Sequence, residues 1–196
     1  MLPRAITREQ LLALPIGRYE GEVTLVATPG QLDQAREELR AERIVGLDTE
    51  TRPTFRKGES HLPCLLQAAT ARRVLVFQLP RLDCSAAAAA LLGDPAVVKA
   101  GIGLTYDLGQ LKRLFPFEAT AVLDLGEVAK RHGLLQSGVR NLAGLFLGFR
   151  IPKGAQTSNW AAPRLSEQQL RYAATDAWAC RELYLRFREL GLLGAR

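Results

Sequence analysis

The most constraining feature of the sequence is a short apolar run at residues 44–49 that ends among acidic residues. A run of this length predicts a buried strand, and residues two apart on a strand point to the same side. Asp48 and Glu50 would therefore present two carboxylates at the end of that strand. Like charges this close repel each other unless a cation lies between them, and Mg²⁺ or Mn²⁺ suits oxygen ligands. Taken alone, however, such a pair is more often two acids in a solvated turn.

Strand and helix patterns alternate on both sides of this run. Thr28 and Gln31 form a capping box around Pro29, which predicts a helix start. Ser166 and Gln169 predict the start of a second, long helix in the same way. We predict strands at about 22–27, 44–49, 64–69, 74–78, 97–100 and 119–123, and helices at about 29–42, 82–92, 104–114, 139–147 and 167–190. This order favours an α/β fold with a mixed sheet, followed by helices.

A second acidic motif follows a glycine-rich turn. Gly101 and Gly103 match the first two glycines of a dinucleotide-binding fingerprint, but Tyr106 stands where the third glycine belongs. Asp124, at the spacing expected for the ribose-binding acid, has the simpler role of a helix cap. We therefore interpret the segment as a tight strand-to-helix turn that places Asp107 on the first or second turn of a helix. An acid there is also common merely because it stabilises the helix dipole.

A third motif lies in the long C-terminal helix. Tyr172 and Asp176 are four residues apart and share one face of that helix. Alone they indicate no more than a polar pair on an amphipathic helix. Combined with the first two motifs, they complete a set of four acids that a compact α/β sheet could bring together. A two-metal site needs such a cluster, with one ion activating water and the other stabilising the leaving oxygen.

Charge and cysteine content restrict the partners and the setting. The chain has 196 residues and a formal net charge of +6, with a pI of about 9.6. That length suits one domain over residues 1–196, with a core at about 22–190. A basic balance favours a polyanionic partner. The three cysteines have no CxxC spacing, which favours a cytoplasmic location over a disulfide-bonded or zinc-binding one, and no run is long and apolar enough for a membrane span.

The three motifs together resemble the DEDD exonuclease superfamily. The match runs from Asp48-Thr49-Glu50, through the glycine-rich turn to Asp107, to Tyr172 and Asp176. Tyrosine in the third motif indicates the DEDDy branch, because the histidine branch would carry histidine where this chain has Arg171. The segments 158–160 and 172–177 are similar to ribonuclease D and to the exonuclease domain of the Werner syndrome helicase. The resemblance covers about residues 23–190, and a stand-alone exonuclease domain is the expectation.

The resemblance implies an RNase H-like (DnaQ-like exonuclease) fold and release of 5′-mononucleotides from the 3′ end of single-stranded DNA or RNA. It also implies two Mg²⁺ or Mn²⁺ ions. Asp48, Glu50 and Asp176 would hold one ion. Asp48 would help to bridge to the second, and Asp107 would act largely through water. Tyr172 would orient the attacking water.

Substrate contacts are predicted around the same motifs. The backbone of Thr49 would meet the terminal 3′ hydroxyl, Leu104 and Tyr106 would contact terminal bases by wedging or stacking, and Trp160 would pack the loop near the site. Tyr106 is equally compatible with a core position, and Thr49 with a plain strand role. The predicted substrate-binding residues are Leu47, Thr49, Gly103, Leu104, Tyr106 and Trp160. Candidate phosphate contacts are Arg52, Arg56, Lys57, Arg140, Arg150 and Lys153.

One departure from the family pattern concerns Gly103, where ribonuclease D members often carry asparagine. It could alter the contact with the terminal nucleotide but removes no metal ligand. Two other classes compete with the exonuclease: a catalytically silent nucleic-acid-binding module, and an RNase H-like endonuclease. A silent binder has no need of four acids facing phosphate, and the tyrosine motif disfavours the endonuclease. The preference between DNA and RNA, and the oligomeric state, stay open at this point.

Overall fold

The computed structural model describes residues 3–56, 58–155 and 157–194. This part of the chain contains six strands and seven helices. The strands are β1 (Val23–Val26), β2 (Ile44–Thr51), β3 (Pro63–Ala69), β4 (Val74–Gln78), β5 (Val98–Gly101) and β6 (Val122–Asp124). The helices are α1 (Arg8–Ala13), α2 (Pro29–Ala41), α3 (Ser85–Gly93), α4 (Leu104–Leu111), α5 (Leu125–Arg131), α6 (Val139–Leu147) and α7 (Glu167–Glu189).

The strands form one mixed sheet in the order β1-β4-β3-β2-β5-β6. The pairs β2–β3 and β3–β4 are antiparallel, whereas β1–β4, β2–β5 and β5–β6 are parallel. The predicted meander and the predicted mixed sheet are both confirmed. Strand β2 lies in the interior of the sheet, so its acidic end projects from the middle of an edge rather than from a corner.

Helices cover both faces of the sheet. Val45 and Leu47 of β2 pack in one core cluster with α2, α3 and α4, including Leu39 and Leu104. The opposite face packs against α5, α6 and α7, where Leu183 of α7 lies in one cluster with residues of β5. Burial of both faces explains why the strands read as continuous apolar runs rather than as alternating patterns.

The capping signals located the helices well. Thr28 and Ser166 each accept a hydrogen bond from the backbone of the third helical residue, and both capping boxes close as predicted. Helix α1 was missed, although Thr7 and Gln10 form the same kind of box in front of it. Element ends differ by a few residues: the helix predicted from residue 82 begins at Ser85, and the last strand is confined to Val122–Asp124.

One glycine brings the longest helix onto the acidic strand. A Cβ atom at Gly46 of β2 would overlap the carbonyl oxygen of Ala177 and lie 2.7 Å from the backbone nitrogen of Arg181. Helix α7 therefore crosses β2 at backbone contact distance, which only glycine permits here. Asp176 precedes Ala177, so this contact sets how far Asp176 lies from the acids of β2.

No helix in the described part of the chain is both long and apolar enough to cross a membrane. The three cysteines Cys64, Cys84 and Cys180 are buried free thiols.

Candidate functional site

Three of the four predicted metal-binding acids meet at the end of β2. Asp48, Glu50 and Asp176 each place a carboxylate oxygen within 4.8 Å of the others. The first two share one side of β2, and the strand is irregular between Glu50 and Thr51, where its pairing with β3 shifts register. The third comes from α7, which the contact at Gly46 holds against the strand. The cluster thus joins acids from opposite ends of the sequence.

Burial and nearby negative charge disfavour the ionised forms of the carboxyl groups in this cluster. Desolvation, followed by the charges of Asp176 and Asp107, raises the pKa of Asp48 well above its ordinary value. Desolvation, and then the charge of Asp48, raises the pKa of Glu50 to about 10. Desolvation raises the pKa of Asp176 to about 6, although the Tyr172 hydroxyl and the Arg140 guanidinium act in the opposite direction. A cation among these oxygens would favour the ionised form of all three.

The donor set fits a hard divalent cation. One oxygen of Asp176, Oδ1, is buried and makes no hydrogen bond within the described residues. A buried acceptor without a partner costs free energy, and a metal ion is one partner that would satisfy it. Carboxylate oxygens, with no histidine or cysteine beside them in the cluster, match the preference of Mg²⁺ and Mn²⁺ rather than that of zinc.

Asp107 lies beside the cluster on the first turn of α4, as the sequence predicted. The hydroxyl of Thr49 donates a hydrogen bond of 2.8 Å to its carboxylate. Gly103 begins the helix with φ of +75°, in the left-handed region that glycine adopts without strain. The carboxylate of Asp124 accepts a hydrogen bond from the backbone nitrogen of Leu104 and also caps α5, which confirms its assignment as a cap. These contacts orient Asp107 towards β2.

Tyr172 lies one helical turn before Asp176, with its ring 6.0 Å from the ring of Trp160. Desolvation, and then the charge of Asp176, raises the pKa of the phenol. The hydroxyl therefore stays protonated at neutral pH. It can position a neighbouring oxygen by hydrogen bonding, but it is a poor proton acceptor.

The predicted substrate-binding residues divide into buried and exposed groups. Leu47, Leu104 and Trp160 are buried in the core, which favours packing roles for these side chains in this conformation. Tyr106 is 67% exposed, so the core alternative for it is wrong and its ring is free to stack. Phe55 is 83% exposed in the loop that follows β2. Sequence reasoning missed it, although an aromatic residue beside arginines after an acidic strand was a usable signal.

Three of the six candidate phosphate-contacting residues line one surface groove. Arg140 lies near enough to Asp176 to lower its pKa. Arg150 and Lys153 line the same surface groove as Arg140. Lys57 is outside the described residues.

The chain matches a known protein family over most of its length. A family model described as a 3′-5′ exonuclease matches residues 23–191. The Ribonuclease D of Gluconacetobacter diazotrophicus is 34% identical over 165 residues, covering 82% of this chain and 41% of that protein. This chain spans only 26% to 41% of the length of that relative and two other curated relatives.

Solved structures share the fold. The Aedes aegypti Nibbler EXO domain superposes with a TM-score of 0.79 at 23% identity, over 91% of this chain and 94% of that one. The Trypanosoma brucei RNase D in complex with RNA U12 superposes with a TM-score of 0.77 at 20% identity, over 96% of this chain and 65% of that one. Identities this low show the fold alone.

Proposed function

Because the chain belongs to the 3′-5′ exonuclease family, and has the RNase H-like fold that its motifs predicted, we propose that it is a metal-dependent 3′-5′ exonuclease. It would release 5′-mononucleotides from the 3′ end of single-stranded nucleic acid. The observation that carries this proposal is the convergence of Asp48, Glu50 and Asp176 within 4.8 Å of one another.

We assign the metal-binding roles from this arrangement. Asp48, Glu50 and Asp176 would hold one divalent ion, and Asp48 would reach a second with Asp107. Ions in such a site supply an activated water and stabilise the charge that develops on the leaving oxygen. Asp107 accepts its hydrogen bond from Thr49 and lies outside the cluster of three, which supports an action through water.

Exposed aromatic rings near the acids support a single-stranded substrate. Tyr106 is on the same turn of α4 as Asp107, and Phe55 is in the loop after β2. Both rings are largely exposed, and stacking on such rings accepts any unpaired base. The Trypanosoma brucei RNase D has been crystallised with RNA U12, which makes RNA one of the two substrates to compare.

The three buried free thiols support the cytoplasmic location inferred from the sequence.

Replacing Tyr172 with phenylalanine should slow cleavage by about 10- to 100-fold through the loss of one positioning hydrogen bond. The ring would still pack against Trp160, and all the metal-binding carboxylates would remain, although Asp176 would lose the hydrogen bond from the Tyr172 hydroxyl. Metal affinity, measured by titration calorimetry, should therefore stay within about twofold of wild type. An unchanged turnover number would remove the proposed role of Tyr172, and a matching loss of metal affinity would make it structural.

The proposal is tested by cleavage of 5′-labelled single-stranded DNA and RNA 12-mers with Mg²⁺, with Mn²⁺ and with EDTA. We expect a metal-dependent ladder that shortens from the 3′ end, with mononucleotides as the product. Internal fragments would indicate an endonuclease instead. Binding without cleavage under either metal would indicate a silent binding module, and the exonuclease proposal would then be rejected.

A further inference from the structure

A basic groove runs along the surface between α1, the start of α6 and the loop after α6. It encloses about 910 Å³, and the four cations Arg8, Arg140, Arg150 and Lys153 line it. Its other lining residues are polar or apolar, and none of them is acidic. Arg8 and Lys153 are exposed and form no ion pair within the described residues. A row of cations without acids is complementary to a polyanion.

One wall of the basic groove lies outside the part of the chain that matches the exonuclease family. The family model begins at residue 23, whereas α1 comprises Arg8–Ala13. The segment is nevertheless well anchored: the backbone of Ile6 exchanges two hydrogen bonds with the Gln136 side chain. Ile16 bridges Arg150, whose guanidinium donates to the carbonyl oxygen of Leu14. These contacts hold α1 against the family-matched part of the chain and so form the groove.

The basic groove leads to the carboxylates. Arg140 in its wall acts electrostatically on Asp176. Pro152 lines both the groove and a neighbouring cavity of about 360 Å³, which is bordered by Tyr172, by Arg18 and by the ion pair of Arg171 with Glu167. A strand with its 3′ end at the carboxylates could therefore continue past Tyr172 and Arg18 into the groove.

We propose that the basic groove holds the strand on the 5′ side of the cleaved phosphodiester, with α1 supplying one wall. The inference rests on the proposed exonuclease function and extends it to a defined strand path. Nucleic acid is the occupant we favour because the groove leads to acids suited to phosphodiester cleavage. Each phosphate neutralised by a cation releases counterions, and for single strands the logarithm of affinity changes with the logarithm of salt concentration by about 0.7 per contact.

The test is binding of fluorescent single-stranded 12-mers and 4-mers, of DNA and of RNA, with EDTA present to prevent cleavage. The double variant Arg8→Gln/Lys153→Gln is compared with wild type and with Arg72→Gln. Arg72 is exposed in the β3–β4 turn, at the end of the sheet away from the carboxylates. We expect the double variant to bind the 12-mer about tenfold more weakly and to lower the salt slope by about 1.4. The 4-mer should lose less, and Arg72→Gln should match wild type.

The possible outcomes test the strand path independently of the cleavage activity. Because Arg72→Gln removes one charge and the double variant two, a loss in Arg72→Gln of half the logarithmic size would make the effect one of net charge. Unchanged 12-mer binding in the double variant would place the strand elsewhere. Polyglutamate that competes as well as the oligonucleotide would assign the groove to an acidic protein instead. If wild type binds the 12-mer through the groove but cleaves nothing with Mg²⁺ or Mn²⁺, the exonuclease proposal fails and the groove stands only as a binding site for single strands.

Discussion

Replacing Asp48 with asparagine is expected to abolish cleavage, by at least about 10³-fold, and to raise the melting temperature of the metal-free protein. Activity is lost because Asp48 is the acid proposed to contact both ions, and the ions supply the chemistry. Stability is gained because the carboxylate is desolvated and faces the charges of Asp176 and Asp107. An amide of the same shape removes that repulsion. A gain of about 3 °C is the size expected for ~1 kcal/mol in a domain of this length.

The stability gain has a definite pH dependence. The folded-state pKa of Asp48 lies above its ordinary value of 3.8, so the folded protein binds this proton more tightly than the unfolded chain does. Protonated Asp48 therefore makes a contribution to stability that is fully present below about pH 4. That contribution is lost as pH rises through the folded-state pKa. The melting temperatures of wild type and Asp48→Asn, both in EDTA, should therefore converge at low pH and diverge towards pH 8.

Metal addition provides the control for the Asp48 experiment. Mg²⁺ or Mn²⁺ should raise the melting temperature of wild type, because an ion that binds only the folded state stabilises it. The same addition should have a much smaller effect on Asp48→Asn. Calorimetry with and without metal measures both. Cleavage at the wild-type rate, or equal stabilisation of the two proteins by metal, would overturn the assignment of Asp48 as a ligand.

Replacing Gly46 with alanine is expected to destabilise the protein by about 3 kcal/mol, at the upper end of the cost of overpacking. The added methyl group would meet backbone atoms of Ala177 and Arg181, and backbone in a helix cannot rotate away as a side chain can. Helix α7 would have to move off β2 and would carry Asp176 with it. A displacement of about 1 Å at a reacting centre can reduce the rate about 100-fold.

The matched control is Gly30→Ala. Gly30 is in α2, on the opposite face of the sheet from α7, and a Cβ atom there has no heavy atom within 4 Å. Alanine at that helical position should stabilise the protein slightly, by up to about 1 kcal/mol. Melting curves measure the loss of stability, and cleavage rates taken well below both melting transitions measure the loss of active-site geometry. A Gly46→Ala protein that melts within a degree of wild type and cleaves normally would show that α7 does not depend on this contact.

The sequence located most elements because their signals are local. A capping side chain and its backbone partner are three residues apart, as at Thr28 and Ser166, and the apolar runs of β2, β3 and β4 are contiguous. Element ends were less well predicted, because packing decides whether the terminal residues continue a helix. Helix α1 was missed although its box at Thr7 is equally local, since a helix of six residues carries too little apolar periodicity to stand out.

By itself, the sequence determined the α/β order, the family and the identity of the acids, because each depends on residue types at short spacings. Only the tertiary structure decided that Asp48, Glu50 and Asp176 meet within 4.8 Å. That meeting requires α7 to approach β2 to backbone contact at Gly46, a relation that no local spacing records. Burial by both layers then raises the pKa values that make the cluster favour a cation. The basic groove likewise depends on the tertiary structure, because its cations come from segments that only folding places side by side.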